Sequence, residues 1–591
     1  MGLADMSIAS GTMAQKRVVN FERSFEVTPF PALFDCAKLM TDPEQAIPDS
    51  ESKRQPFSVL RTLKVILLPI ALGFLLSFFV IVGQWFQGDS AKYFLLALDG
   101  MRMQIVIAFA AITTIGFTVW MLRPSRRMVM IGLALMVCLI GILSCFVRLD
   151  GFNGDRTPRL AWRWSLPAES KVKSYLISKK ASPLPRISPE LSLATPTDFP
   201  GFMGQERNAV LNSISLGDHW ELAPPKLLWK HPVGLGWSSF ALVGELAVDL
   251  EQRDQDECIV CYHATTGEEL WCHREVERFT SEHGDGPRST PTIHQGRVYS
   301  MGGCGRLTCV DLMSGELIWK QTLLDGPGLS NLYFGTTSSP LIVGDLVVVT
   351  PGAGEGGSAV AFSAETGEER WRCGDDHASY ASPIASSLCQ VPQILSFNGA
   401  GLRSYSIDGK SLFLHPWVTQ GDSRVNVAQP VIVDQCDDPT RMDQGARVLI
   451  SSGYDMGTAL LKITNEGGVW ATEEIWRSSH LKSKLSNFVV LDQHLYGLDN
   501  GLLTCLRLED GKRVWKKGRY GHGQMLLVRD KLLIQAESGE IVLVAATPEN
   551  HRELTRFTAL SGKTWNHPSL AGNRLVIRND SEAAAYEMPC E

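Results

Sequence analysis

Cys309-Val310-Asp311-Leu312-Met313-Ser314-Gly315-Glu316-Leu317-Ile318-Trp319 reads as a strand, a tight turn on Ser314-Gly315, and a second strand ending in tryptophan. The pattern returns at residues 262–271, 362–371 and 506–515, each time with a turn glycine (Gly267, Gly367, Gly511) and a closing tryptophan (Trp271, Trp371, Trp515). Short strands recurring at roughly 40–50 residues, with one aromatic per repeat, define a β-propeller. The glycine allows positive φ at the hairpin. The tryptophan buries a large ring between neighbouring blades and offers its indole N–H to a backbone acceptor. Cys261, Cys309 and Cys505 each stand six residues before the turn glycine, and Ala361 takes that place in another repeat. The position therefore selects a small side chain, and these cysteines are expected as buried free thiols.

A second element fixes the blade count. Inner strands open at Ser239-Phe240, Thr290-Pro291, Ser339-Pro340, Ser382-Pro383, Gln429-Pro430, Asn487-Phe488, Gln524-Met525 and His567-Pro568. Outer strands carry Trp229, Trp271, Trp319, Trp371, Leu414, Trp476, Trp515 and Phe557. Both series have eight members. Trp229 precedes the first inner strand, and the last inner strand has no outer strand after it. The ring is expected to close by pairing residues 227–230 with the terminal strands, which leaves no open sheet edge. A seven-bladed ring is the competitor, because the segment between Gln429 and Trp476 is long and irregular.

Upstream the composition changes. Residues 1–56 are polar without periodicity and are expected as a flexible cytoplasmic tail. Within 57–150 lie three apolar runs, at about 65–86, 104–122 and 128–147, none with an ionised side chain in its interior. Each has the ~20 residues a bilayer-spanning helix needs. Lys53, Arg54, Arg61 and Lys64 before the first run, and Arg123, Arg126 and Arg127 between the second and third, place these segments in the cytoplasm. The chain is thus expected as multi-pass in the inner membrane, N-terminus inside, propeller in the periplasm. Arg148, Arg156, Arg159 and Arg163 oppose that orientation. Residues 151–220 are Pro-rich and expected as a semi-extended spacer, and 221–591 as the propeller.

A net charge of −7 argues against a nucleic-acid partner. The thirteen cysteines show no paired CxxC spacing for zinc. Gly352-Ala353-Gly354-Glu355-Gly356-Gly357 matches a phosphate loop only in composition, since a strand rather than a helix follows. Propellers bind at one mouth of the axial channel, through the turns leading into the inner strands. Here those turns carry Trp237, His283, Asp285, Arg288, Tyr333, Tyr380, Asn426, Asn487, His522 and Trp565. One reading gathers them into a pocket for a polar ligand or peptide. The other pairs Asp285 with Arg288 locally and leaves the rest capping strands. Only Asp285, Arg288 and His283 stand close enough in sequence to suggest acid–base chemistry.

The motif Ala/Asp-x-x-x-Thr/Ser-Gly-x-x-x-Trp, best seen at 310–319 and 362–371, resembles the repeat of pyrroloquinoline-quinone-type propellers over roughly 221–591. The resemblance implies eight blades. That superfamily includes quinoprotein alcohol dehydrogenases, which bind the quinone and calcium on the ring axis, and the assembly factor BamB, a non-catalytic periplasmic scaffold. The chain is also similar to membrane-anchored proteins of this type from planctomycete-like bacteria. The dehydrogenases commonly carry a disulfide between adjacent cysteines and a Glu, Asn and Asp on calcium. This chain has no Cys-Cys pair and no segment matching that set. The expectation is therefore a binding platform for envelope proteins or a polar ligand, without cofactor; a quinone- and calcium-dependent membrane dehydrogenase is the alternative.

Overall fold

The computed structural model describes residues 146–152, 158–179, 188–325, 331–352, 357–419, 425–436 and 445–591, with isolated positions between 130 and 145. The tail and the first two apolar runs lie outside the described residues, as does most of the third. Among the described residues no helix is long and apolar enough to cross a membrane.

Eight antiparallel sheets form the ring. Blades 1 to 7 span residues 241–276, 292–322, 341–373, 384–416, 431–478, 488–519 and 524–558, each with its strands in sequence order from the axis outward. Blade 8 takes three strands from 569–587 and its outermost from β4 (Lys226–Pro232). Trp229 stands opposite Ala585 in that pairing, so the ring closes on hydrogen bonds as the offset of the two sequence series requires.

One irregularity recurs in every blade. Register shifts between the third and outer strands, after Cys261, Cys309, Ala361, Ser404, Leu460, Cys505, Leu543 and Ala585. A bulge there bends and twists the outer strand. The residue before the bulge faces the tryptophan directly: Cys261 opposite Trp271, Cys309 opposite Trp319, Cys505 opposite Trp515. This explains the small side chain. The three cysteines are fully buried, and burial pushes the Cys309 thiol up to about 12 and the Cys505 thiol up to about 11. Each tryptophan then reaches the next blade. Trp229, Trp271, Trp319, Trp371, Trp476 and Trp515 donate their indole N–H to the carbonyls of Ala264, Leu312, Ala364, Ile407, Leu508 and Thr547, at 2.8–3.2 Å.

Blade 4 departs from the sequence reading. Phe413, not Leu414, stands opposite the bulge residue Ser404 and is buried, because a one-residue shift moves a strand side chain to the other face. Blade 5 explains the irregular segment. Its two outer strands, Gly457–Glu466 and Val469–Ser478, are ten residues each, joined at Gly467-Gly468.

Where described, residues 151–220 are not the semi-extended spacer expected. A hairpin of β1 (Val147–Phe152) and β2 (Pro158–Trp162) precedes helix α1 (Ala168–Lys179). Tyr175 of α1 stacks on His231, 4.9 Å between ring centroids, and Glu169 pairs with Arg278 at 2.9 Å. The chain then enters the axial channel. Asp198 accepts from Gly244 N (3.1 Å) at a turn of blade 1, and Phe199 exchanges backbone bonds with Leu242 on the inner strand. Pro200 O accepts from Ile293 N of blade 2 (2.7 Å). The segment reverses through 203–207 and leaves along blade 7, where β3 (Val210–Leu211) adds in parallel to the inner strand Gln524–Val528. Phe199, Met203, Ala209, Leu216 and Trp220 are buried in the core shared with blades 1, 6, 7 and 8. They find a place there because the channel supplies walls on several sides.

Candidate functional site

The inner strands begin with a belt of blade-to-blade bonds. Ser239 Oγ accepts from His567 N, Ser339 Oγ from Thr290 N, and Ser382 Oγ from Ser339 N, each at 2.9 Å. Asn487 Oδ1 accepts from Gln429 N at 2.8 Å. At these four positions the polar residue that opens the inner strand satisfies a backbone donor of its neighbour that no sheet pairing would reach. Around this belt the preceding turns rise into a rim.

The rim encloses a cavity of about 870 Å³ at one mouth of the channel. Seven of the ten residues expected at the mouth line it, among them Trp237, His283, Arg288, Tyr380, Asn487 and Trp565. Tyr333 lines it too. Three others lie elsewhere. Asp285 sits below the rim, ion-paired with Arg278 at 2.9 Å and accepting from Ser281 N at 3.1 Å. Asn426 is fully buried as a strut between blades 4 and 5, donating to Asn398 O (2.7 Å) and accepting from Ser452 Oγ. His522 is buried, its backbone N–H bonded to Glu537 at 3.0 Å. In each case a turn residue found a partner within its own loop or in the next blade, a pairing sequence spacing does not display.

Arg288 does not pair with Asp285 as the local reading expected. Its guanidinium donates to the carbonyls of Gly286 and Gly284, 2.8 Å each, and lies 5.0 Å from the Phe279 ring centroid. Burial pushes it down to about 10, still protonated at neutral pH. Burial likewise pushes the Tyr380 hydroxyl up to about 12. Trp237 and Trp565 form one wall, 4.9 Å between centroids, with Lys563 Nζ 4.5 and 4.3 Å from the two rings. Lys563 also donates to His283 O (2.8 Å), and Trp565 Nε1 to Glu537 (2.8 Å). These contacts hold the aromatic wall in place.

Sequence reading missed Phe202, Phe334, Tyr454, Lys484 and Gln524 among the lining. Phe334 is next to Tyr333 in the same turn and was within reach. Phe202 had no such signal, since it belongs to the segment in the channel; its ring meets His567 edge-on at 5.7 Å and floors the cavity. Among the described residues no three His, Cys, Asp or Glu side chains form a set that could hold a metal ion. Glu282 is the lone carboxylate of the lining, exposed on the rim and accepting from Tyr333 Oη at 3.3 Å. That donor set does not fit calcium, which takes six to eight oxygens.

Fold and repeat together define the class: this is an eight-bladed β-propeller whose repeat is similar to that of pyrroloquinoline-quinone-like propellers. A family model described as "Outer membrane protein assembly factor BamB" matches residues 255–517. No curated protein matches the chain. Among solved structures, BamB from Moraxella catarrhalis is 12% identical over 62% of this chain and 100% of its own, with a TM-score of 0.45. A europium-containing methanol dehydrogenase is 12% identical over 67% of this chain and 98% of its own, TM-score 0.36. Quinohemoprotein alcohol dehydrogenase from Comamonas testosteroni is 12% identical over 71% and 83%, TM-score 0.35. These are likenesses of fold.

Proposed function

We propose that this chain is a membrane-anchored propeller facing the periplasm that serves as a non-catalytic platform, holding a polar ligand or a segment of an envelope protein at the channel mouth. The mouth cavity carries the proposal. Its volume of about 870 Å³ suits a compact ligand or a few side chains, and its aromatic walls surround a small number of polar groups. Arg288 keeps its proton and Tyr380 keeps its own at neutral pH, and Asp285 is taken up by Arg278. Two of the three acid–base candidates, Asp285 and Arg288, are thus held out of proton transfer, which favours recognition by this lining. The match to an assembly-factor model over 255–517 favours a protein partner in the envelope. The apolar runs at 65–86, 104–122 and 128–147 support the anchor, and the Arg-rich turn supports the orientation.

The dehydrogenase alternative would place pyrroloquinoline quinone and calcium at this mouth, and the lone rim carboxylate speaks against it. The test is a titration of the full chain in detergent with quinone and calcium, read by absorbance and melting temperature. No shift is expected. A saturable new band with a raised melting temperature would overturn the platform, since a ligand of the folded state stabilises it by mass action. Tyr333→Ala, at an exposed rim position, is expected to cut co-purification of an identified envelope partner at least ~10-fold, the scale of one interface anchor.

A further inference from the structure

The hairpin of β1 and β2 carries an apolar surface that no other described element covers. Phe146, Leu149, Leu160, Trp162, Trp164 and Leu166 are between 47% and 69% exposed. Trp162 and Trp164 stack at 4.8 Å with 12° between planes, and Phe146 meets Trp164 edge-on at 6.0 Å. Arginine is interleaved with them: residues 146–166 contain four arginines (148, 156, 159, 163) and two aspartates (150, 155), a balance of 4 − 2 = +2.

We propose that this hairpin is an interfacial anchor, lying in the headgroup layer of an anionic bilayer with Trp162 and Trp164 inserted. The inference rests on the membrane-anchored reading above. Chain continuity fixes the occupant. The apolar run 128–147 ends where β1 begins, and β1 has six residues. Six extended residues span roughly 20 Å, at about 3.3 Å each. The hairpin is therefore tethered within about that distance of the bilayer, in reach of the headgroup layer. Tryptophan and arginine belong there chemically, with an apolar body in the acyl boundary and a polar edge or charge at the phosphates. The arginines that count against an external position are thereby accounted for as headgroup ligands. The geometry also sets which way the mouth points. A Cβ on Gly151, in β1, would stand 3.6 Å from the Glu282 carbonyl on the rim, so the mouth lies beside the hairpin that the proposal places in the interface.

The full chain is reconstituted in phosphatidylcholine–phosphatidylglycerol vesicles containing lipid brominated near the headgroup, and compared with Trp162→Phe/Trp164→Phe. Both positions are exposed, so folding is unaffected; circular dichroism checks this. The expected result is loss in the variant of a component of tryptophan emission that the shallow bromine quenches. Equal quenching in both proteins, with the chain resistant to alkaline carbonate, overturns the hairpin anchor and leaves the membrane reading standing. Release of the chain by carbonate overturns both. A nitroxide on Leu160→Cys reports depth independently: protection from a water-soluble relaxant is expected, and full accessibility overturns the proposal.

Discussion

Gly315 has two duties at one atom. Its φ is +71°, and a Cβ there would stand 2.5 Å from the Trp271 ring of the preceding blade. Gly267, Gly367 and Gly511 repeat this against Trp229, Trp319 and Trp476, at 2.6 Å. The turn glycine is therefore also the floor on which the neighbouring tryptophan lies. Gly315→Ala adds left-handed strain of ~1–2 kcal/mol to a steric clash. A loss of about 3 kcal/mol is expected from the urea midpoint, with Trp271 emission shifted by its displaced ring. His567 supplies a pH test. Burial pushes its imidazole down from 6.5 to about 4, so the folded state stays neutral where the unfolded chain takes a proton. The unfolded state binds more protons between these values, and stability rises with pH across that window. The contribution, at most ~3 kcal/mol, is complete above pH 6.5 and lost as pH falls toward 4. His567→Gln should flatten the midpoint-versus-pH curve there; an unchanged slope would show that another group sets it.

At the scale of elements, the segment through the channel behaves as a ninth structural part. Its three non-glycine residues with positive φ, Met203 (63°), Arg207 (52°) and Ala209 (60°), make a turn tight enough to reverse inside the ring. Such strain persists only where surroundings over-determine it. Here Arg207 does so, donating to the carbonyls of Pro340 (2.9 Å) and Ser339 (3.1 Å) on blade 3, while its burial pushes it down to about 10. Phe199→Ala should cost ~3–5 kcal/mol in thermal or urea unfolding, as for any fully buried aromatic. A value below 1 kcal/mol would mean that the segment contributes little to the ring. Because Phe202 floors the mouth, the same variant is expected to weaken whatever the mouth holds.

The whole molecule depends on one seam. Arg578 of blade 8, fully buried, pairs with the fully buried Asp249 of blade 1. It also donates to the carbonyls of Gly234 (2.8 Å), Gly236 (3.1 Å), Leu250 (3.1 Å) and Asn579 (3.0 Å). One side chain thus joins the last blade to the first and to the chain running between them. Arg578→Met leaves a buried carboxylate uncompensated, and ~3–5 kcal/mol should be lost. The pair Arg578→Met/Asp249→Leu should recover most of it, since apolar replacement of a buried pair is often near neutral. Melting temperatures of the single and double variants decide this. A double variant as weak as the single would show that the carbonyl contacts, rather than the ion pair, hold the seam.

Blade architecture was written in local pattern. Turn glycine, closing tryptophan and a small residue before the bulge recur at fixed offsets in blades 1, 2, 3 and 6, because those blades solve the same packing problem with the same kinds of side chain. Ring closure followed from arithmetic, since Trp229 lacked a blade and Ala585 lacked an outer strand. Seven mouth residues were legible for the same reason, as the turns that feed inner strands must converge on the axis. The tertiary structure alone decided the remainder. Asp285 chose Arg278, Asn426 turned inward, and residues 198–211 filled the channel. Those outcomes depend on partners brought together only when the ring closes, and no periodicity along the chain records a contact across an axis.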